Sequence, residues 1–526
     1  MTQLPLRLFI SLFVISLIIR FLAALPQEHP YTMDEAYSYV NAVTLTAGDG
    51  FVEHFIWNYL NPPETLPQPS NYYWMPLTSF VASIGLMIGG VSYPAAQWGF
   101  IVLSSLLAPF TALIAWKVST QKRHAWVAGL MMIFSGFYFW AWTIVDNFTP
   151  FALAGSMMLY MFWDGIETKR NMRLIGAGVL AGLAHLARAD GPLLLVTAFL
   201  FLLGSTVQVV QTNKEGQSFQ SVMMNAVFGV VLLMLGYLVI MMPWFLRNIL
   251  LTGVPLAPGG NQTIWLQSYN DLFSYGRAFN LQSYLDWGID NIIRSKLWAL
   301  GQNLQRVLAE TGMIFALPLA VIGGWQLRHH RLFQLCWLYY GLLFIAMTFV
   351  FTYPGVRGAL FHSSGAILPF LLTATVIGLD KLVESIARRR RTWRVKPAQT
   401  VFSIGLVGLA IFLSFIAYAG QVSQVQQLPE QTYAQVTDYL TNQNATVMVG
   451  NPPAYIYYGG YQAIITPNEK MDIVLQVADR YQATHLILDQ NHPPPLSEYY
   501  TQSAQHPRLN HLATFSDFTH LFQILP

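Results

Sequence analysis

Apolar runs approaching twenty residues recur along this chain, and about twenty is the length a helix needs to cross the hydrocarbon of a bilayer. They fall at residues 4–25, 95–118, 125–143, 150–165, 174–187, 191–210, 223–243, 307–325, 332–352, 363–378 and 400–419. In lipid the backbone must satisfy its own hydrogen bonds, so such runs are confined to helices. Charge agrees: 10% of the 526 residues are charged, against about 25% in soluble domains. The expected fold class is an all-α polytopic membrane bundle of about eleven transmembrane helices. Residues 76–90 are also apolar but carry Gly and Ser, and read as a juxtamembrane helix. The first run is long for a signal peptide and Leu25-Pro26-Gln27 is a poor cleavage site, so it is kept as a span, with Arg20 near its outer end as a candidate site residue.

Short loops rich in Lys and Arg stay cytoplasmic. With the N-terminus inside, the inner segments hold Arg7, Lys117, Lys122, Arg123, Lys169, Arg170, Arg173, Lys214, Arg328, Arg331, Lys381, Arg388–Arg391, Arg394 and Lys396. Their acids are only Asp164, Glu167, Glu215, Asp380 and Glu384. A twelfth span at 76–90 would invert every later loop. The outer side then receives loops 26–94 and 244–306 and the tail 421–526, giving a membrane domain over 1–420 and a small extracytoplasmic α/β domain after it. In the tail, 430–441 and 468–481 read as helical and 446–450, 461–466 and 484–489 as extended. One cysteine, Cys336, excludes an intramolecular disulfide and any thiolate-rich metal site. A net charge of +3 gives no sign of nucleic acid, and no Gly-rich nucleotide loop is present.

Charged residues near spans are the informative ones. Asp34-Glu35 follows the first span; such a pair at a water–lipid boundary can deprotonate a hydroxyl or amine, or simply start a loop helix as a cap. Asp146 lies in the short turn 142–149, where a lone acid is more often a cap or loop charge. In Arg188-Ala189-Asp190-Gly191 the two charges can pair with each other. Arg247, where the seventh run surfaces, can grip a phosphate in bidentate fashion or snorkel to headgroups. Arg357 and His362 open the tenth run; the imidazole can bind phosphate, shuttle a proton or sit satisfied in the bundle. Together, acids and cations alternate on one face of one membrane, a pattern suited to an anionic lipid phosphate at the interface.

The order of these segments resembles the C-type superfamily of membrane glycosyltransferases, close to the protein O-mannosyltransferases and the aminoarabinose transferases. Asp34-Glu35 matches that family's first acidic motif, and Asp146 sits where its second acid lies. The stretch Gly182-Leu183-Ala184-His185-Leu186-Ala187-Arg188-Ala189-Asp190-Gly191 is similar to its GLA-x-L-x-R-x-x-G segment. Pro243-Trp244-Phe245-Leu246-Arg247-Asn248 with Gly253 and Pro255 is similar to its PW-x-x-RN … G-x-P signature, and 357–369 looks like its late-span segment. The resemblance covers the membrane region. One departure stands out: where relatives carry Lys-Pro-Pro-Leu, this chain has Tyr72-Tyr73-Trp74-Met75-Pro76-Leu77 without a lysine.

The resemblance implies a polyprenyl-phosphate-linked sugar donor, a lipid, glycan or protein acceptor, and transfer with inversion at the outer face of a plasma membrane, preferably prokaryotic. It implies Asp34 as base or acceptor-positioning acid, Glu35 and Asp146 shaping its charge, and Arg188, Arg247, Arg357 or His362 at the phosphate, with Tyr72 and Tyr73 orienting the sugar. No cofactor is required and no metal-ligand spacing appears, although the acids could bind a divalent cation. Two other classes remain open: a transporter or flippase, against which stand few charges at depth and no inverted repeat, and a non-catalytic scaffold whose tail binds a partner. Asn147-Phe148-Thr149, Asn261-Gln262-Thr263 and Asn444-Ala445-Thr446 are outer-side sequons that matter only in a host that glycosylates asparagine.

Overall fold

The computed structural model describes residues 5–212, 219–390, 392–425, 432–440 and 445–526. Leu4, the inner-loop charges Lys214, Glu215 and Arg391, the sequon's Asn444 and both ends of the helix read at 430–441 lie outside the described residues. Among the described residues, six helices are long and apolar enough to cross a membrane: Leu6–Ala24, Tyr93–Ser119, Gln220–Thr252, Arg331–Val350, Thr352–Arg389 and Val395–Ser423. Two bent pairs add to them, Lys122–Ile133 with Gly136–Trp142 at 53° and Ile289–Thr311 with Ala316–Gln326 at 89°. Between these lie Phe148–Thr168, Asn171–Ala187 and Pro192–Thr212. Phe148–Thr168 is wrapped by other helices, with Phe151, Met158, Leu159 and Phe162 fully buried. A helix enclosed by protein needs no broad lipid-facing stripe, so small and polar residues are tolerated along it.

Three expectations are corrected. The run at 307–325 is not one straight helix: the chain breaks after Thr311 and turns sharply, with Met313 and Ile314 at φ 45° and 57°. The helix expected to end at Pro243 continues to Thr252, so Arg247 and Asn248 sit on helical turns and not in a loop. Proline removes one donor, but an apolar stretch in lipid has no partner other than its own backbone, and the helix resumes. Arg20 is fully buried and donates to the carbonyls of Met132 (3.1 Å) and Phe139 (3.3 Å). It satisfies acceptors freed where the third run breaks, a structural duty away from the site.

That break is secured throughout by side chains. The Trp142 indole donates to Ser135 Oγ at 2.6 Å, Tyr138 Oη donates to the Phe361 carbonyl at 2.6 Å, and Ser414 Oγ accepts from the Gly136 amide at 2.9 Å. Helix Leu77–Gly89 has 13 residues and rises about 20 Å, short of the roughly 30 Å hydrocarbon core. It packs on the first-loop helix Met33–Ala47 and leaves Ile84, Met87 and Ile88 exposed, as a juxtamembrane helix should. Ion pairs tie the basic ends together: Arg123 and His124 with Asp380, Arg173 with Asp164, and Arg331 with Glu167.

The strands are β1 Val52–Glu53, β2 Phe55–Ile56, β3 Gln68–Pro69, β4 Thr446–Val449, β5 Gln462–Ile465, β6 Ala483–Leu488, β7 Leu509–Thr514 and β8 His520–Ile524. Six form one sheet in the order β2-β5-β4-β6-β8-β7. The first four run parallel, and β8 and β7 continue antiparallel. The strands and the helix Met471–Tyr481 read in the tail are present, while β2 comes from the first outer loop and locks that loop to the tail.

Close helix crossings depend on glycine. A Cβ on Gly236 would lie 2.0 Å from the Ile175 carbonyl oxygen, and one on Gly378 would lie 1.8 Å from that of Leu319. Overpacking of this kind costs about 1–3 kcal/mol or more, whereas Gly408 has open space. We expect Gly236→Leu and Gly378→Leu to lower the melting temperature of the detergent-purified protein sharply or to abolish its folding. Gly408→Leu is expected to melt close to the parent.

Candidate active site

The first-loop helix Met33–Ala47 begins at Thr32, whose hydroxyl accepts from the Glu35 amide at 3.3 Å and donates to the Glu35 carboxylate at 3.2 Å. This cap fixes the first turn and directs the two adjacent acids to different places. Asp34 lines a cavity of about 2010 Å3 between the membrane helices and the sheet. Glu35 does not line it: it is completely buried and accepts from the Tyr93 hydroxyl, which in turn accepts from the Val145 amide at 3.4 Å. Glu35 thus braces the first loop against the turn that carries Asp146.

In that turn the Asn147 amide donates to Asp146 Oδ1 at 2.5 Å. Asn147 Oδ1 accepts from Arg188 (2.9 Å) and lies 2.8 Å from His362 Nδ1, so one amide joins three segments. The sequon asparagine is therefore buried at the site; Asn261, by contrast, is exposed. His362 stacks on Phe148 at 3.7 Å and stands 3.9 Å from Asp146. Ligand atoms of Asp34, Asp146 and His362 all lie within 4.8 Å of one another. No ligand spacing was visible in the sequence because these residues come from three distant segments; folding assembles two carboxylates and an imidazole that could hold a metal ion.

The cations divide. Arg188, Arg306 and Arg357 line the cavity. Arg188 pairs with Asp190 at 3.0 Å and donates to Ser363 Oγ at 2.9 Å, so the pairing read within its own motif is present. Arg357 lies 5.1 Å over the Tyr269 ring. Arg306 pairs with Glu310 at 2.7 Å, beside the sharp bend. Its place at the foot of an outer loop gave no sign of this role. Arg247 and Tyr72 lie outside the cavity lining: the Arg247 guanidinium sits over Trp244, Phe51 and Tyr72 and donates to the Ser70 carbonyl at 2.8 Å. It fastens the first loop to the seventh helix. Tyr73 does line the cavity, edge-on to Trp57 at 4.8 Å.

Burial pushes the acids up. Asp34 is raised to about 6 by desolvation, against the pull of Arg188 and Arg357. Asp146 is held well above the carboxylate range by desolvation and then by Asp34. Glu35 rises to about 7 and Glu53, whose carboxylate accepts from Gln68 at 2.8 Å, to about 8, both chiefly by burial.

No family model and no curated protein matches this sequence. Solved structures do. The aminoarabinose transferase ArnT from Cupriavidus metallidurans, bound to undecaprenyl phosphate, aligns with a TM-score of 0.54 at 13% identity over 98% of this chain and 97% of its own. Oligosaccharyltransferases from Archaeoglobus fulgidus also align, among them the archaeal enzyme AglB. AglB in complex with an inhibitory peptide and a dolichol-phosphate gives a TM-score of 0.55 at 12% identity, over 94% of this chain and 70% of its own. An Archaeoglobus fulgidus oligosaccharyltransferase in complex with Zn and sulfate gives 0.56 at 13% identity, over 98% of this chain and 74% of its own. This is the fold of the C-type membrane glycosyltransferases.

A carboxyl whose folded pKa exceeds its unfolded value stabilises the fold below the unfolded value and loses that contribution as pH rises through the folded one. Glu35 and Glu53 therefore make the protein less stable as pH climbs through about 7 and 8. We expect the melting temperature to fall between about pH 4.5 and 8 and to level off above that, and Glu53→Gln to remove part of that fall while leaving stability at about pH 4 nearly unchanged.

Proposed function

We propose that this protein is a membrane glycosyltransferase that moves a sugar from a polyprenyl-phosphate-linked donor to an acceptor with inversion at the anomeric carbon. The observation that carries the reading is the meeting of Asp34, Asp146 and His362 with three arginines in one large cavity, within a fold two of whose solved examples are in complex with a polyprenyl phosphate. We read the six long helices, the two bent pairs and the three enclosed or shorter helices as eleven passes. The basic loops, taken as cytoplasmic, support a reading in which the sheet and the cavity mouth lie on the outer side of a prokaryotic plasma membrane.

Asp34 accepts the proton of an acceptor hydroxyl or amine, and the freed lone pair attacks C1 of the sugar. The bond from C1 to the phosphate oxygen breaks, and its electron pair leaves on the lipid phosphate. Arg357 and Arg306 meet that charge, while Arg188, committed to Asp190, Asn147 and Ser363, holds the segment rigid. Tyr73 faces the sugar. A base raised to about 6 is ionised at neutral pH yet more basic than an exposed carboxylate. The same trio fits a divalent cation: Asp34, Asp146 and His362 would hold it, and a bound ion would supply positive charge to the phosphate.

With a radiolabelled panel of polyprenyl-phosphate hexoses, Asp34→Asn is expected to lower turnover at least about 100-fold. Wild-type kcat/KM should rise with pH through about 6. Normal transfer by folded Asp34→Asn protein would remove Asp34 from the mechanism. A chelator is expected to leave turnover intact; loss that added divalent ion restores would instead assign the trio to a metal.

A further inference from the structure

The four parallel strands β2, β5, β4 and β6 point their carboxyl ends the same way, and residues at three of those ends face the active-site cavity. Trp57 follows β2, Gly450 and Asn451 follow β4, and Asp489, Asn491 and His492 follow β6; all six line the cavity. The order is informative. From β4 the chain steps to β5 on one side and then crosses to β6 on the other. That makes β4 and β6 the point where strand order reverses, and a crevice outside the carboxyl ends at such a point is where open α/β sheets bind ligands.

The crevice has built polar chemistry. Asp489 is 3% exposed, with Oδ2 accepting from Tyr433 Oη at 2.9 Å and Oδ1 from the Asn491 amide at 2.8 Å. A Cβ on Gly450 would stand 3.6 Å from Asp489 Oδ2, so glycine leaves the approach to that carboxylate open. His492 Nδ1 lies 2.8 Å from the Asp489 carbonyl oxygen and its ring stacks on Tyr500 at 4.1 Å, which fixes its orientation. Trp57 lies parallel to Trp74 at 3.9 Å, and both line the cavity.

Charge is segregated across the space. Among the described residues, the cavity's arginines all come from the membrane bundle, and the sheet side contributes no Lys or Arg. Amides and a carboxylate suit neighbouring hydroxyls, which donate and accept together, while His492, its Nε2 3.2 Å from Ser497 Oγ, is held as part of the wall. A carboxylate without a cation beside it disfavours a phosphate or any other anion. Flat indole faces suit the C–H face of a pyranose.

We propose that the carboxyl-end crevice of the sheet, formed by Asn451, Asp489, Asn491 and His492 with Trp57, is a carbohydrate-binding site that holds a neutral glycan acceptor against the transfer centre. This deepens the transferase reading and rests on it for the word acceptor, but not for the binding itself.

The test is saturation-transfer NMR on the full chain in lipid nanodiscs, with free neutral disaccharides as probes and no donor present. Wild type should bind at least one of them, and both Asn491→Ala and Asp489→Asn should raise its Kd at least tenfold. Asn491 is exposed, so its variant tests the site without disturbing the buried network of Asp489. Unchanged affinity in folded Asn491→Ala and Asp489→Asn proteins would overturn the proposal. So would binding of hydroxyl-amino-acid peptides with no disaccharide binding, which would assign the crevice to a protein acceptor. A polyprenyl-phosphate hexose that displaces the disaccharide would make the crevice a site for the donor's own sugar and overturn the acceptor role; simultaneous binding supports it. Disaccharide binding lost in the variants of a protein that transfers no sugar would fail the transferase reading and leave the carbohydrate site standing.

Discussion

Hydrocarbon offers no hydrogen-bond partner, and most of this structure follows from that constraint. Backbone can leave the helix at membrane depth only where it is buried in protein or lines a cavity. The departures here are the turn from Trp140 to Asn147, the Arg188–Gly191 connection, the bend at Met313 and the irregular stretch around Gly358. Side chains satisfy the groups they expose: Arg20 reaches the carbonyls of Met132 and Phe139, Tyr138 reaches that of Phe361, and Asn303 reaches that of Met347. Most of these segments converge on one cavity. A membrane bundle that must hold charged chemistry at its surface has to spend its irregular backbone there, and the site is found where the helices stop being regular.

The same economy explains why each charge has a role beyond its sign. Arg188 cannot stand alone near the lipid boundary, so Asp190, Ser363 and Asn147 surround it. Arg247 is stabilised by aromatic faces and one carbonyl, which makes it a fastener for the first loop. Glu35 sits beside Asp34 in sequence and on a different face of the same helical turn, so one acid braces while its neighbour faces the cavity. Adjacent residues thus separate into support and chemistry by the geometry of a single cap.

The membrane helices were legible because lipid leaves a strong signal, a long run of apolar side chains. Phe148–Thr168 was visible by its apolar core even though it is enclosed; the bend after Thr311 falls at Glu310-Thr311-Gly312, a short polar interruption inside a run that otherwise stays apolar from 307 to 325. The sheet was half legible: β4, β5 and β6 show as extended apolar segments, whereas β2 is two residues in a distant loop that become a strand only when β5 offers a free edge. Candidate site residues were found wherever an acid or base stood beside a span. Asn147 was read only as a sequon because its function is to join Arg188 and His362, neither of which is near it in the chain.

The sequence by itself determined the solvent of this protein, the places of its apolar runs, the bias of its basic loops and the short motifs that carry acids and cations. Those are properties of composition and local period, and they survive without knowledge of any contact. The tertiary structure alone decided which of those groups meet. It brought Asp34, Asp146 and His362 within one ligand's reach, removed Arg247 and Glu35 from the cavity wall, brought in Arg306, and turned the carboxyl ends of a parallel sheet onto the same space. Distances between residues hundreds of positions apart are fixed by helix crossings and glycine contacts, which no local pattern encodes.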